Sequence, residues 1–292
     1  MRQFRKSRIN VSWPSYRTLT AMHLIDTHAH LDLPRFGDPR AQREAALRAQ
    51  VADVVAVVIP GVEPASWDWM LATAARLRAE APHVCFHTSF GIHPQVLPDL
   101  DSANDGEICA ALAERVTEAP TGMVAIGECG LDFAAGVVAG ASRERQVAVL
   151  RAHFALARRT GLPLLLHCLH AHGPLLELLR GEPVPPSILH SWSGSAEMAR
   201  HFCKLGHYLS FAGAITLPRA RRPLESARAV PADRLLIETD SPDQTPYGRR
   251  PLRNEPAFLP DVAAALASAR GEPLAEVAEV TTANARRLLA LP

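Results

Sequence analysis

Four histidines and two carboxylates recur along the chain, each at or near the end of a short apolar run. Leu24-Ile25-Asp26-Thr27-His28-Ala29-His30 closes on His-x-His, and Val124-Ala125-Ile126-Gly127-Glu128 closes on a carboxylate. Leu164-Leu165-Leu166-His167 and Ser187-Ile188-Leu189-His190 each close on an imidazole, and Leu235-Leu236-Ile237-Glu238-Thr239-Asp240 closes on two acids, of which Asp240 is the expected site residue. Imidazole and carboxylate together suit divalent first-row metals, and substrate oxygens completing the shell extend the choice to Mg²⁺ or Mn²⁺. His28 and His30 are two apart, so on an extended chain both side chains emerge on one side and a single cation can take both. A carboxylate ending a buried strand is costly without a partner; the bland partner is a salt bridge or a helix cap, the chemical one a metal ion. Glu128, central in the series, is suited to bridge two ions. Two ions about 3.5–4 Å apart generate a hydroxide and clamp the attacking and leaving oxygens, so the chemistry expected is hydrolysis. His93, in Phe90-Gly91-Ile92-His93-Pro94, is read either as a substrate-phosphate contact or acid, or as a loop histidine held by backbone hydrogen bonds.

Such side chains must be brought together from distant parts of the chain. Strand-like runs at 24–28, 53–59, 84–91, 123–127, 163–167, 187–190, 207–212 and 235–239 alternate with helix-like segments at 40–51, 65–80, 104–118, 142–160, 172–180, 195–205, 219–229 and 255–269, and a last helix is expected over 273–289. The helical readings rest on apolar spacings of three and four. Ser142 and Ser195 are capping signals, and Gly161 and Gly206 stand where helices hand over to strands. Eight βα units point to a single-domain α/β fold, a (β/α)8 TIM barrel, whose carboxyl-terminal strand ends converge on one face. An open doubly wound sheet is the alternative, but its Gly-rich first turn is replaced here by His-x-His.

The 292 residues suffice for one such barrel, with 48% hydrophobic residues to fill it. No apolar run reaches the roughly 18–20 residues of a membrane span. The formal net charge is +1, but Arg2, Arg5, Lys6, Arg8 and Arg17 lie within residues 1–21; setting those five aside leaves 26 basic against 30 acidic residues. A tight duplex binder is ordinarily far more basic. Residues 1–21 are read as a basic, disordered extension without the apolar core of a secretory signal, and 22–292 as the hydrolase domain. Five cysteines without a C-x-x-C pair argue against a disulfide framework and for a reducing, cytoplasmic setting. Cys129 and Cys168, beside Glu128 and His167, are turned by alternation into packing.

In this order the residues resemble the TatD family of metal-dependent deoxyribonucleases, within the amidohydrolase-like barrels. The resemblance runs from Met22 onward through Asp26-Thr27-His28-Ala29-His30-Leu31, Gly91-Ile92-His93-Pro94, Gly127-Glu128-Cys129-Gly130-Leu131-Asp132, Leu166-His167-Cys168, His190-Ser191-Trp192-Ser193-Gly194, Glu238-Thr239-Asp240-Ser241-Pro242 and Arg253-Asn254-Glu255-Pro256. It implies a (β/α)8 barrel and two divalent ions (Mg²⁺, Mn²⁺ or Zn²⁺), one on His28, His30, Glu128 and Asp240 and the other on Glu128, His167 and His190. It further implies hydrolysis of DNA phosphodiesters, single-stranded or at 3′ ends, with His93 in the active site and Asp240 accepting the proton of the attacking water. Family members commonly carry an arginine two or three residues after the fifth-strand histidine; here Cys168-Leu169-His170-Ala171-His172 has none. His170, or Arg249, Arg250 and Arg253, are the expected substitutes, and Trp192 is read either as a base-stacking ring or as packing. Rival readings are a binuclear amidohydrolase or deacylase acting on a small molecule or an aminoacyl ester, and a metal-stabilised scaffold without turnover. Binuclear amidohydrolases often bridge their ions with a carboxylated lysine, whereas this chain has only Lys6 and Lys204, neither on the fourth strand.

Overall fold

Hydrophobic runs bounded by Gly, Pro and capping residues become strands, and the amphipathic segments between them become helices. In the computed structural model, which describes residues 22–292, eight βα steps follow one another. They are β1 (Leu24–Asp26), α1 (Pro39–Val51), β2 (Val54–Pro60), α2 (Trp67–Glu80), β3 (Cys85–Phe90), α3 (Asp105–Glu118), β4 (Met123–Asp132), α4 (Ala135–Gly140), α5 (Arg143–Thr160), β5 (Leu164–Leu169), α6 (His172–Gly181), β6 (Ile188–Leu189), α7 (Ala196–Lys204), β7 (Tyr208–Phe211), α8 (Arg221–Ala229), β8 (Leu235–Ile237), α9 (Leu259–Arg270) and α10 (Leu274–Leu289). The basic segment 1–21 lies outside the described residues.

All eight strands are parallel and in sequence order. The ring is drawn together between β8 and β1 by bonds beyond the ladder: Asp240 N–H donates to His28 O at 2.9 Å, and His30 N–H to Ser241 O at 2.7 Å. Asp26 adds a side-chain clasp, accepting from Thr239 N at 2.9 Å and Thr239 Oγ1 at 2.6 Å. The seam thus runs through the very loops that carry His28, His30 and Asp240. Among the described residues no helix is long and apolar enough to cross a membrane.

Alternation along the strands divides the core in two. Ile25, Ala56, Val58, Ala125, Leu165, Ile188, Tyr208 and Leu236 fill the barrel interior, joined by Ala285 and Leu289 of α10. The larger cluster lies between sheet and helices and includes Leu24, Val57, Ile59, Cys129, Leu166 and Phe154. Cys129 is therefore packing, as expected, and Cys168 is half-buried against the same cluster. Ser142 and Ser195 cap α5 and α7 by accepting from Arg145 N and Met198 N, both at 3.2 Å. Gly161 closes α5 in the left-handed region at φ 75°. One helix was not expected: α4, whose Gly136 and Gly140 mask it in the sequence.

His153, fully buried on α5, ties helix to loop. Its Nδ1–H donates to Val149 O at 2.9 Å, leaving Nε2 to accept the Ile92 N–H at 3.1 Å, one residue before His93. Burial pushes its imidazole down to about 4. The unfolded ring titrates near about 6.5, so below that pH the unfolded chain takes up a proton that the folded chain refuses, and stability is lost until about pH 4. His153→Gln is expected to shrink the stability lost between about pH 7.5 and about pH 5 by about 2 kcal/mol, as read by urea unfolding. Equal losses for the two proteins would remove His153 from this role.

Candidate metal centre

The predicted site residues arrive from several strands, His28 and His30 together from β1, though not always from a strand's last position. Glu128 lies in the middle of β4, which continues to Asp132 because Cys129 to Asp132 pair with Leu166 to Leu169 of β5. His167 lies inside β5, His190 one residue past β6, and Asp240 three residues past β8. His28 and His30 follow the end of β1, where an isolated bridge from Ala29 to Ser241 keeps the chain extended and both rings on one side. Gly91 and Gly127 allow the backbones to meet where Glu128 is presented. A Cβ at Gly91 would stand 2.3 Å from Glu128 O, and one at Gly127, whose φ is 122°, would stand 2.5 Å from Leu165 O.

Glu128 is the centre of the arrangement, and its two oxygens face different partners. Oε2 lies 3.2 Å from His28 Nε2 and 3.4 Å from His30 Nε2. Oε1 lies 2.8 Å from His93 Nε2, 2.8 Å from His190 Nε2 and 3.3 Å from His167 Nδ1. Asp240 Oδ1 approaches from the first side, 3.9 Å from His28 Nε2 and 3.8 Å from His30 Nε2. Burial alone would raise the Glu128 carboxyl, but the imidazoles of His93, His190 and His28 outweigh it and hold the group well below the usual carboxylate range. The same attraction lifts His190 well above the ordinary histidine value against its own burial.

This donor set fits divalent cations. The Nε2 atoms of His28 and His30 are 3.1 Å apart and share one carboxylate oxygen, an approach that two neutral rings stabilise best by turning both lone pairs to a common cation. His28, His30 and Glu128 form one compact triad, His28, His190 and Asp240 a second, and His93, Glu128 and His167 a third; the first shares His28 with the second and Glu128 with the third. The third is better read with His93 as a donor. Gln95 N–H donates to His93 Nδ1 at 3.0 Å, which leaves the ring proton on Nε2, facing Glu128.

Two acids behind the rings were not singled out in the sequence. Asp132, at the end of β4, lies 3.2 Å from His167 Nε2, and Glu238, fully buried, lies 3.5 Å from His190 Nδ1. Asp132 is within hydrogen-bond distance of the far nitrogen of an imidazole whose near nitrogen meets Glu128, the geometry that fixes a ligand's tautomer and raises its basicity, whereas Glu238 makes a looser electrostatic approach to its imidazole. Burial would raise the Asp132 carboxyl, but bonds from His167 and Gln95 bring it down to about 2. Glu238→Gln is expected to weaken Mn²⁺ affinity by about 10–100-fold with the fold intact. Unchanged affinity by isothermal titration would assign Glu238 to closure of the barrel alone.

The site opens into a cavity of about 240 Å³ lined by His30, Arg35, His93, Gln95, Glu128, His167, His190, Asp240 and Asp243, among others. The substitutes expected for the missing arginine are absent from this lining. Arg249 pairs with Asp261 at 2.5 Å and stacks on Phe258. Arg250 donates to Thr245 O at 3.3 Å, Arg253 stacks on Phe36 with 4.2 Å to the ring centroid, and His170 is exposed. Trp192 is buried between His172 and Phe202, so packing is its role. Arg253-Asn254-Glu255-Pro256 braces the loop: Asn254 donates to Thr239 O at 2.7 Å and Asp243 O at 2.6 Å, and Glu255 accepts from Arg48.

Comparison with known proteins agrees with this architecture. The family model described as TatD related DNase matches residues 25–290. An uncharacterized metal-dependent hydrolase, YabD of Bacillus subtilis, is 33% identical over 267 residues, covering 91% of this chain and 98% of the relative. A protein named 3'-5' ssDNA/RNA exonuclease TatD, from Erwinia tasmaniensis, is 35% identical over 251 residues, covering 84% of this chain and 92% of the relative. Among solved structures, the TatD homolog YjjV of Escherichia coli superposes with a TM-score of 0.80 at 31% identity, covering 94% of this chain and 100% of that one. With its barrel, its buried His and carboxylate cluster and these relatives, the chain belongs to the TatD-related DNase family of metal-dependent hydrolases.

Proposed function

We propose that this protein hydrolyses phosphodiester bonds of single-stranded DNA from the 3′ end, using two divalent ions. The observation that carries the reading is Glu128, whose two oxygens face separate imidazole sets across one carboxylate. His28, His30 and Asp240 with Glu128 would hold one ion, and His167 and His190 with Glu128 the other. Bound there, the ions supply Lewis acidity that activates water and offsets charge gathering on the phosphoryl oxygens. The protein's own groups do the rest. Asp240, at the cavity wall, accepts the proton of the attacking water. His93, neutral and with its proton fixed on Nε2, donates to a phosphoryl or leaving oxygen in place of Glu128. The carboxylate at the bridging place favours phosphodiester over amide chemistry, where a carboxylated lysine is the usual bridge. The relative named as an exonuclease supports the same substrate class. All five cysteines are free, which suits the cytoplasm.

The test is release of nucleotides from 5′-labelled single-stranded DNA with Mg²⁺ or Mn²⁺, run beside an EDTA control. A ladder shortening from the 3′ end and abolished by EDTA is expected. Folded, Mn²⁺-loaded protein that leaves DNA intact but cleaves an aminoacyl ester would replace this reading with deacylation.

A further inference from the structure

We infer that Arg35 binds a phosphate of the substrate at the mouth of the site and that Asp243 occupies it when substrate is absent. The inference rests on the phosphodiester reading above and adds to it the cation which that reading lacks.

A phosphodiester entering this cavity meets imidazoles and carboxylates, and Arg35 is the one lysine or arginine among its lining residues. Arg35 belongs to a short 3-10 turn, Pro34–Phe36, in the β1–α1 loop, five residues after His30. The turn is anchored on both sides of the arginine. Pro34 sets its first residue, and Phe36 is fully buried beneath the Arg253 guanidinium. Arg35 itself is 52% exposed and forms an ion pair with Asp243, 50% exposed, which lines the same cavity.

Asp243 cannot follow its partner easily. Its backbone N–H donates to Asp240 O at 3.0 Å, and its carbonyl accepts from Asn254 at 2.6 Å. An ion pair half in water contributes little, so the guanidinium leaves it readily. A phosphate offers two non-bridging oxygens to the planar fork of an arginine, a stronger match than a lysine could make. Asp243, fixed in place, then repels the incoming anion, so the pair sets a threshold: weakly charged ligands leave Arg35 on Asp243, whereas phosphates capture it.

Two measurements on the Mn²⁺-loaded protein decide the matter. The first is steady-state cleavage of a single-stranded thymidine decamer. Arg35→Ala is expected to raise KM by about 10-fold or more, with a much smaller change in kcat, and to lower the slope of log KM against log salt by about 0.7, the value of one lost phosphate contact. Arg35→Lys falls between, and Asp243→Asn lowers KM. The second is calorimetric binding of inorganic phosphate, which needs no turnover: Arg35→Ala weakens it by about 10-fold and Asp243→Asn strengthens it. Unchanged KM and salt slope in folded Arg35→Ala protein would overturn the inference. Should the wild type leave the decamer uncut, the nuclease reading falls while the phosphate titration still judges Arg35. Equal phosphate binding by the wild type and Arg35→Ala, or none by either, would overturn it there too.

Discussion

Asp240→Asn protein is expected to fold normally and to lose about 10³-fold of its turnover on single-stranded DNA, equivalent to about 4 kcal/mol of transition-state stabilisation. Asp240 stands in the left-handed region at φ 54°, which Asn and Asp tolerate and other residues resist. Its Oδ2 accepts from Gln244 Nε2 at 2.6 Å, a bond the amide oxygen of asparagine can keep. What asparagine cannot keep is the charge, on which the proposed hold on a cation beside His28 and His30 and the proposed uptake of a proton from water would both depend. Asp240→Ala would confuse the result by adding backbone strain of about 1–2 kcal/mol. Thermal melting shows whether the fold survives, and single-turnover cleavage reads the chemical step. Turnover within about tenfold of wild type in melting-matched Asp240→Asn protein would exclude Asp240 from proton transfer.

Much of this site can be read from sequence because the barrel converts chain position into spatial position. A run such as Leu164-Leu165-Leu166-His167 is apolar on both faces since a parallel strand is buried on both, so the polar residue that interrupts it marks the working end. That logic located His28, His30, Glu128, His167, His190 and Asp240 in one cluster. It misplaced the strand ends: β6 has only two ladder residues and β8 stops at Ile237, because loops there take over the backbone bonds that strands would make. It could not assign Asp132 and Glu238. Their sequence signal is that of any acid near a strand end, and only the folded chain shows which imidazole nitrogen each one faces. Nor could it find Arg35. Arg249, Arg250 and Arg253 lie between or within the last two family motifs in sequence, yet each is engaged outside the cavity, by Asp261, by Thr245 and by Phe36. The His153 hold on Ile92 spans 61 positions and leaves no local pattern at all.

Glu128→Gln carries the second large expectation: loss of turnover of at least about 10³-fold, together with loss of metal from both halves of the site. Glutamine preserves volume, so packing around the 2%-exposed side chain is conserved. The electrostatics are not. Five imidazole nitrogens lie within 2.8–3.4 Å of the carboxylate oxygens, and an amide replaces one acceptor oxygen with an N–H₂ group aimed at nitrogen lone pairs. On the two-ion reading, cations held on either side of residue 128 would lose the anion that screens their repulsion. Changing a residue that merely orients a ligand weakens a metal site by about 10–100-fold, so removing a ligand shared by two ions should exceed about 100-fold. Mn²⁺ retained after equilibrium dialysis separates the two variants. On the two-ion reading, Asp240→Asn is expected to keep the ion that His167, His190 and Glu128 would hold, whereas Glu128→Gln is expected to hold neither. Glu128→Asp, with charge restored but the carboxylate one methylene short of both imidazole sets, should recover metal before it recovers turnover. Full Mn²⁺ retention by Glu128→Gln would mean that the histidines and Asp240 suffice to hold the ions, and that Glu128 serves the barrel rather than the reaction.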